Sequence, residues 1–493
     1  MTGWNLSAQE AAAAVDGKLQ LIGGGGLTDA AFHGVATDTR LKMEGMLFVA
    51  LVGESHDAHA YVRKAVEQGA SGLMIHRELT LEEKSEIEAL VGQRGFPVAV
   101  ISAGNTLTAL QVLARHWRHK CRAMILGITG TNGKTSTKEF AATILSTRFN
   151  VQYSKGSFNN HWGVPFSLLS ISQDHDVAVI EMGMNHPGEL KDLSKIVEAD
   201  AVVCTMVGRG HLEGVGSIEG AAAAKSEIYE YAPSKATFIF NLDNPYTSQM
   251  MAKFTDEGRR TITFAESAGD ISLRVKAMTM EALTVEGSIK GIEGSVEIPV
   301  FGRHNVTNLM AAACLALVAG MSPQEIWKAL PLCRSAWGRN QWIELASRAR
   351  CLFDGYNANP ESMGAALENA RLLVESGSIR GRAIAVLGEM RELGSHAENL
   401  HEELGSKAAS VGFDEVVFIG ASHAAFARGF GATKTKLSVL PKFDASEKAE
   451  QALVENLRKG LSGDDFILIK GSRGVKLETL LAGLSPVGSD LKK

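Results

Sequence analysis

The run Gly130-Thr131-Asn132-Gly133-Lys134-Thr135-Ser136 gathers residue types that suit a phosphate group. Glycines let the backbone N–H groups of a tight turn point inward, a lysine adds a point charge, and a threonine hydroxyl can hold Mg²⁺. The chemistry is nucleotide binding, with ATP or GTP as the candidates. The strict pattern G-x-x-x-x-G-K-[ST] asks for glycine where this chain has Ile128. The match is therefore to a shorter loop, and an ordinary glycine-rich turn is the competing reading.

Further polar groups follow along the chain. Glu181 ends the apolar run Val177 to Ile180, a place from which an acidic side chain can reach Mg²⁺. The segment Gly208-Arg209-Gly210-His211-Leu212-Glu213 precedes a helix carrying Lys225, which by composition alone is a solvated helix lysine. Asn305 and Asn308 open an Ala-rich helix at i and i+3, where capping is a sufficient explanation. Near the start, Asp38-Thr39-Arg40 reads either as a surface turn or as a contact for a ligand carbonyl or phosphate. His396 and His401 sit among acidic residues, but their spacing does not set both on one helical face, and the segment reads as a solvated helix.

Elements must hold these groups in place. Apolar residues 124 to 128 predict a buried strand and Thr135 to Leu145 a helix, so the loop lies between strand and helix. Before it come a helix at Ser7 to Ala14, a turn at Gly23 to Gly26, strands near Val35 and Met46 to Leu51, and a connecting helix from Asn105 to about His119. After it, strands at Val177 to Ile180, Ala201 to Val207 and Phe238 to Leu242 alternate with helices. That alternation predicts a doubly wound, mostly parallel sheet with ligands at the carboxyl ends of its strands. Between about 259 and 301 the short alternating segments 261–264, 271–275 and 296–300 predict a small antiparallel sheet. Past Trp337-Gly338-Arg339, strands at 351–354, 383–387, 415–419 and 466–469 predict a third, Rossmann-like α/β unit. The fold class is α/β in three domains, 1–103, 104–338 and 339–493.

Composition excludes several functions. The 493 residues are 45% hydrophobic and 21% charged with a net charge of -5, so no basic excess draws nucleic acid or anionic membrane. Five scattered cysteines without a C-x-x-C pair predict reduced thiols in a cytosol rather than a disulfide frame or thiolate metal site. Met1 to Gly17 lacks the basic and apolar regions of a signal peptide, and Leu309 to Met321 is too short for a membrane span and reads as a core helix.

Taken together, these segments resemble the Mur ligase family, ATP-dependent amide-forming enzymes of peptidoglycan assembly, over essentially the whole chain. The residues that carry the resemblance are 130–135, Phe158-Asn159-Asn160 with Gly163-Val164-Pro165, Glu181-Met182-Gly183, His211-Leu212-Glu213, Ala224 to Ile228 and Gly302 to Asn308. Asp354 to Pro360, Leu387-Gly388-Glu389-Met390 with Glu392-Leu393-Gly394, and Lys470-Gly471-Ser472-Arg473 resemble the branch that adds D-alanyl-D-alanine to a UDP-N-acetylmuramoyl-tripeptide. There are departures. Ser157 stands where the family has Asn, Met46 where it has Asp, and Asp57-Ala58-His59 replaces Asp-Gly-His.

The resemblance implies a first domain holding the UDP-linked substrate, a central one holding ATP, and a third that closes over both and binds the dipeptide. It implies transfer of the γ-phosphoryl of ATP to the tripeptide carboxylate, then attack by the dipeptide amine. Lys134, His211, Lys225 and Arg339 would be catalytic. Residues 130–136 would hold the phosphates, with Asn305 and Asn308 at adenine and Asp354 at the ribose. Two Mg²⁺ ions would rest on Thr135, Glu181, His211 and a carbamylated Lys225. Thr39, Arg40, Asn159, Asn160, Tyr356, Asn357, Asn359, Lys470 and Ser472 would contact the other substrates. The enzyme would be a cytoplasmic monomer. A family member adding a different amino acid, and a non-catalytic nucleotide switch, are the alternatives. Whether the tripeptide ends in meso-diaminopimelate or lysine is open.

Overall fold

A computed structural model describes residues 6–23, 31–53, 56–255, 258–444 and 446–487. Gly24 to Gly26 of the expected glycine-rich turn, and the first five residues, lie outside the described residues. The described chain builds three main sheets in sequence order.

The first is five-stranded, in the spatial order Lys18–Ile22, Val98–Ser102, Gly72–Ile75, Leu47–Val49, Val35–Ala36. Only the first pair is antiparallel. Ser7 caps the helix Ala8–Ala14, its hydroxyl accepting from the Glu10 N–H at 3.1 Å. Asn105 likewise caps Thr106–Lys120 through the Thr108 N–H at 2.9 Å. That helix buries Leu110, Leu113 and Trp117 in a core shared by the first and central sheets, and the Trp117 indole donates to Ile171 O at 2.8 Å.

The central sheet has nine strands, in the order Val151–Tyr153, Val177–Glu181, Met124–Thr129, Ala201–Cys204, Thr237–Asn241, Thr261–Phe264, Ile271–Met278, Leu283–Ile289, Ile292–Ile298. Val151–Tyr153 through Thr261–Phe264 run parallel, and the last three strands form the expected antiparallel part. That part is not free-standing. It continues the parallel sheet through Phe264↔Ile271. Thr261–Phe264, grouped with it by alternation, is parallel to Thr237–Asn241; a period of two reports a half-buried strand, not its direction. The helix Asn305–Val318 is buried almost along its whole length and packs Leu309 and Met310 with Phe140 and Ile144 of the helix Lys134–Leu145. Burying each such side chain contributes about 1.5–3 kcal/mol. This seats the helix behind the phosphate loop.

The third sheet runs Gln341–Glu344, Arg350–Asp354, Phe466–Lys470, Ala383–Gly388, Glu415–Ile419, Lys436–Leu440, antiparallel only at its first pair. His401 corrects the solvated-helix reading: it is fully buried, with Nε2 accepting from the Met390 N–H at 3.0 Å and Nδ1 beside Ala397 O at 2.6 Å. No described helix is long and apolar enough to cross a membrane.

Candidate active site

The strand Met124–Thr129 delivers the phosphate loop and the helix Lys134–Leu145 receives it. Gly130 and Gly133 have φ of 144° and 84°. A Cβ on Gly130 would lie 2.0 Å from Thr205 Oγ1, and one on Gly133 would lie 2.1 Å from Asn308 Oδ1, so only glycine fits either position. Thr205 braces the turn, its hydroxyl donating to Asn132 O at 2.5 Å and its N–H to Thr129 O at 2.9 Å. The first N–H groups of the helix, including those of Thr135 and Ser136, have no partner within it; with the dipole they form an anion seat. Lys134 Nζ reaches over the loop, donating to Gly130 O at 2.7 Å and Thr131 O at 3.4 Å. Burial pulls its pKa below the usual lysine value, against the pull of Glu181.

Beside the loop, the Thr135 hydroxyl meets both carboxylate oxygens of Glu181, at 3.2 and 3.0 Å, and Asn159 Nδ2 donates to Glu181 Oε1 at 2.8 Å. A hydroxyl and a buried carboxylate are the hard oxygen donors that Mg²⁺ prefers, so these residues fit that ion. Lys225 is 1% exposed, and its Nζ contacts Met184 Sδ at 3.1 Å. Burial, and then the charge of Lys134, push its pKa from 10.5 down to about 7. The lowered pKa leaves more of the amine neutral, which is the form from which a carbamate is made. His211 takes a left-handed backbone (φ 58°), and its Nδ1 pairs with Glu392 Oε2 of the third unit at 2.6 Å, which holds the Glu392 carboxyl below its usual range.

Behind the loop, Asn308 lies against Gly133 and donates to Asn305 Oδ1 at 3.2 Å, while Asn305 Nδ2 donates to Phe301 O at 2.7 Å. Asp354, at the end of its strand, is held by Lys470 at 2.6 Å in an ion pair whose side chains are 7% and 1% exposed. Lys470 also donates to Asn357 O at 3.1 Å.

The third unit is closed onto the loop. Asn359 caps the helix Pro360–Glu375, accepting from the Ser362 N–H at 2.9 Å, and exchanges amide hydrogen bonds with Asn132 at 2.8 and 3.0 Å. Next to it, Glu361 accepts from Arg209 N and Nε at 2.9 and 3.0 Å, and Glu403 from Arg209 Nη1 at 3.2 Å. Arg339 Nη2 lies 3.4 Å from Thr135 Oγ1, its guanidinium stacked 4.5 Å over the Tyr356 ring. Ser472 is buried and its hydroxyl accepts from the Arg391 N–H at 3.1 Å.

Two expected sites make other contacts. Arg40 is 88% exposed and its guanidinium pairs with Asp38 at 2.7 Å beside Thr39, in a surface turn. Asn160 Oδ1 accepts from the Gly163 N–H at 2.9 Å and so caps the helix Gly163–Leu169. Conversely, Thr205, Glu361 and Lys138 were not singled out by sequence reasoning. Lys138 is fully buried, and its Nζ donates to Ser154 O and Gly156 O at 2.7 and 2.5 Å, shaping the segment that carries Ser157 and Asn159. Its one signal was a lysine on the first turns of a helix behind a phosphate loop.

Known proteins resemble this chain in sequence and in fold. The Mur ligase middle domain matches residues 128–316, and the Mur ligase, glutamate ligase domain matches residues 338–473. The UDP-N-acetylmuramoyl-tripeptide–D-alanyl-D-alanine ligase of Bacillus subtilis (strain 168) is 34% identical over 453 residues, 92% of this chain and 93% of that protein. Its namesake in Escherichia coli (strain K12) is 33% identical over 468 residues, 94% of this chain and 95% of that one. The crystal structure of MurF from Acinetobacter baumannii superposes with a TM-score of 0.83 at 28% identity, over 98% of this chain and 99% of that chain. Likeness of this extent, in sequence and in fold alike, means that the chain belongs to the Mur ligase family.

Proposed function

We propose that the chain joins D-alanyl-D-alanine to UDP-N-acetylmuramoyl-tripeptide at the cost of ATP, releasing ADP and phosphate. The observation that carries this reading is the meeting of the phosphate loop with Arg339 and Asn359 of the third unit, in a chain 34% identical to a ligase of that name. A carboxylate resists attack by an amine at neutral pH. Moving the γ-phosphoryl of ATP onto the tripeptide carboxylate gives an acyl phosphate, which the dipeptide amine then attacks, expelling phosphate. Charge builds at both steps, and preorganised cations and N–H groups answer it. Lys134 and residues 130–136 hold the phosphates, and Arg339 faces the transferring group. Thr135 and Glu181 would hold one Mg²⁺, and His211 with a carbamylated Lys225 a second. Bound there, Mg²⁺ supplies positive charge against the β- and γ-phosphates.

We read 1–103 as the unit for the UDP-linked substrate through Thr39 and Arg40, 104–338 as the ATP unit, and 339–493 as the unit that closes on both. Asn305, Asn308 and Asp354 serve adenine and ribose in this reading. Asn159, Asn160, Tyr356, Asn357, Asn359, Lys470 and Ser472 serve the peptide substrates. A monomer suffices, since one chain supplies both faces of the cleft. Five buried, unpaired thiols support a cytoplasmic setting. The test is phosphate release with ATP and UDP-tripeptide, with and without D-alanyl-D-alanine. A ligase releases phosphate in step with the dipeptide; release indifferent to it overturns the reading. Running the assay with meso-diaminopimelate- and lysine-ended tripeptides identifies the acceptor.

A further inference from the structure

The dipeptide in the proposed reaction has two charged ends. Its amine must reach the acyl phosphate, and its free carboxylate needs a cation. Two residues span at most about 7 Å, so that cation has to lie within roughly 10 Å of the transferring phosphate. The cations of the third unit near that point are largely committed. Lys470 is sealed onto Asp354 at 2.6 Å, and Arg391 Nη2 donates to Gly474 O at 3.2 Å. Arg339 already faces the phosphate loop at Thr135.

Arg473 differs from these. Its guanidinium lies 5.9 Å from the centre of the Tyr356 ring and 5.3 Å from that of Trp337. The Arg339 guanidinium is 4.5 Å from the same Tyr356 ring, so the two guanidinia lie within about 10 Å of each other. Glu478 Oε1 stands 3.3 Å from Arg473 Nη2 and answers part of its charge, while Nη1 is enclosed with no hydrogen-bond partner. The side chain is nevertheless 36% exposed, so the guanidinium as a whole is open to a ligand from solvent. An unmade guanidinium donor is costly, and its planar fork matches a carboxylate.

We infer that Arg473 binds the free carboxylate of the incoming dipeptide, in a subsite walled by the Trp337 and Tyr356 rings. The inference rests on the reading of the chain as a D-alanyl-D-alanine-adding ligase. Tyr356 then divides two tasks, with the phosphate-facing guanidinium and the carboxylate-facing one both stacked on its ring. Neutralising Arg473 should remove discrimination at the far end of the dipeptide while leaving the nucleotide untouched.

The test compares kcat/KM for D-alanyl-D-alanine and for its C-terminal amide, on the full chain with ATP, Mg²⁺ and UDP-tripeptide. The wild-type enzyme should prefer the acid by about 10- to 100-fold, the usual worth of a hydrogen bond to a charged group. Arg473→Gln should bring the acid down to the level of the amide, leave the amide rate nearly unchanged, and leave the KM for ATP alone. Arg473→Lys should restore part of the preference. If Arg473→Gln lowers both dipeptides alike, the residue only supports the fold and the inference is wrong. It is also wrong if Arg391→Gln erases the preference instead, or if the wild type takes acid and amide equally. A wild type that uses neither dipeptide overturns the underlying ligase reading itself.

Discussion

Asn132 in the phosphate loop and Asn359 at the head of a third-unit helix exchange two amide hydrogen bonds, Nδ2 to Oδ1 at 3.0 Å and at 2.8 Å in return. The pair ties closure of the third unit to the shape of the loop, because each amide satisfies the other only when the two units meet. Asn359→Asp removes one donor and sets two acceptors face to face. We expect a fall in kcat of about tenfold or more, as leaving a buried polar group unpaired typically costs about 1–3 kcal/mol. The KM for ATP should rise together with that for the dipeptide, because Asn359 touches the loop as well as serving the peptide side. Asn357→Ala, whose side-chain Oδ1 accepts from the Ala358 N–H at 2.9 Å, should raise the dipeptide KM alone. Steady-state kinetics on both variants checks the contrast; equal effects on ATP would remove the distinction drawn between these residues.

Gly133→Ala should abolish nucleotide binding while leaving the fold intact. The backbone there is left-handed at φ 84°, which costs an L-residue about 1–2 kcal/mol, and the added methyl would press into Asn308 Oδ1 at 2.1 Å. Titration calorimetry with ADP reads the binding loss, and circular dichroism reads the retained fold. Wild-type affinity in the variant would show that the loop does not seat the phosphates.

Lys225→Ala should be nearly inactive, and a short carboxylic acid in the medium should restore part of the rate by occupying the vacated position. Lys225→Arg should stay inactive, since it keeps charge but cannot carry a carbamate. The lowered pKa of about 7 gives the direction with pH. As pH falls below about 7 the amine is protonated, carbamate formation is lost, and activity drops. Between about 7 and 10.5 the unfolded chain holds a proton that the folded, unmodified chain lacks. Stability of the unmodified enzyme therefore rises with pH through that window and is lowest below it. Mass spectrometry of intact protein under CO₂, with a pH–rate profile, tests both statements. An active Lys225→Arg would defeat the carbamate.

Arg209→Ala should loosen the third unit. Its contacts with Glu361 and Glu403 leave the arginine side chain 34% exposed, so each pair contributes only about 0.2–1 kcal/mol and is screened by salt. The expected loss in rate is about two- to fivefold at low salt, with wild type and variant converging near 1 M. Small-angle scattering should show a larger radius for the variant at low salt. A salt-independent difference would mean that Arg209 acts otherwise than through these pairs.

How legible all this was in the sequence depended on range. The strand, loop and helix from Met124 to Leu145 could be read because apolar periodicity and glycine placement are local signals. The strands Lys18–Ile22 and Lys436–Leu440 were missed because edge strands of mixed exposure lack a strong apolar run. His401 looked solvated among its acidic neighbours, yet the helix turns it inward onto Met390. The Asn132 and Asn359 pairing spans 227 residues and leaves no local trace, and neither does the close contact between His211 and Glu392. Resemblance to known ligases supplied the roles proposed for Lys225 and Arg339; composition alone offered a solvated lysine and a domain boundary.

The strand Phe466–Lys470 lies between Arg350–Asp354 and Ala383–Gly388, although it is the last strand of the third sheet to be made. During synthesis, its two neighbours leave the ribosome well before the strand that must join them. At about 5–20 residues per second the gap lasts roughly 4–16 s. For that interval two apolar strands expose unpaired edges, the condition in which chains associate wrongly. A nascent third unit therefore depends on being shielded until Phe466–Lys470 emerges, and a ribosome stalled shortly before Phe466 leaves a fragment with a split sheet that cannot close.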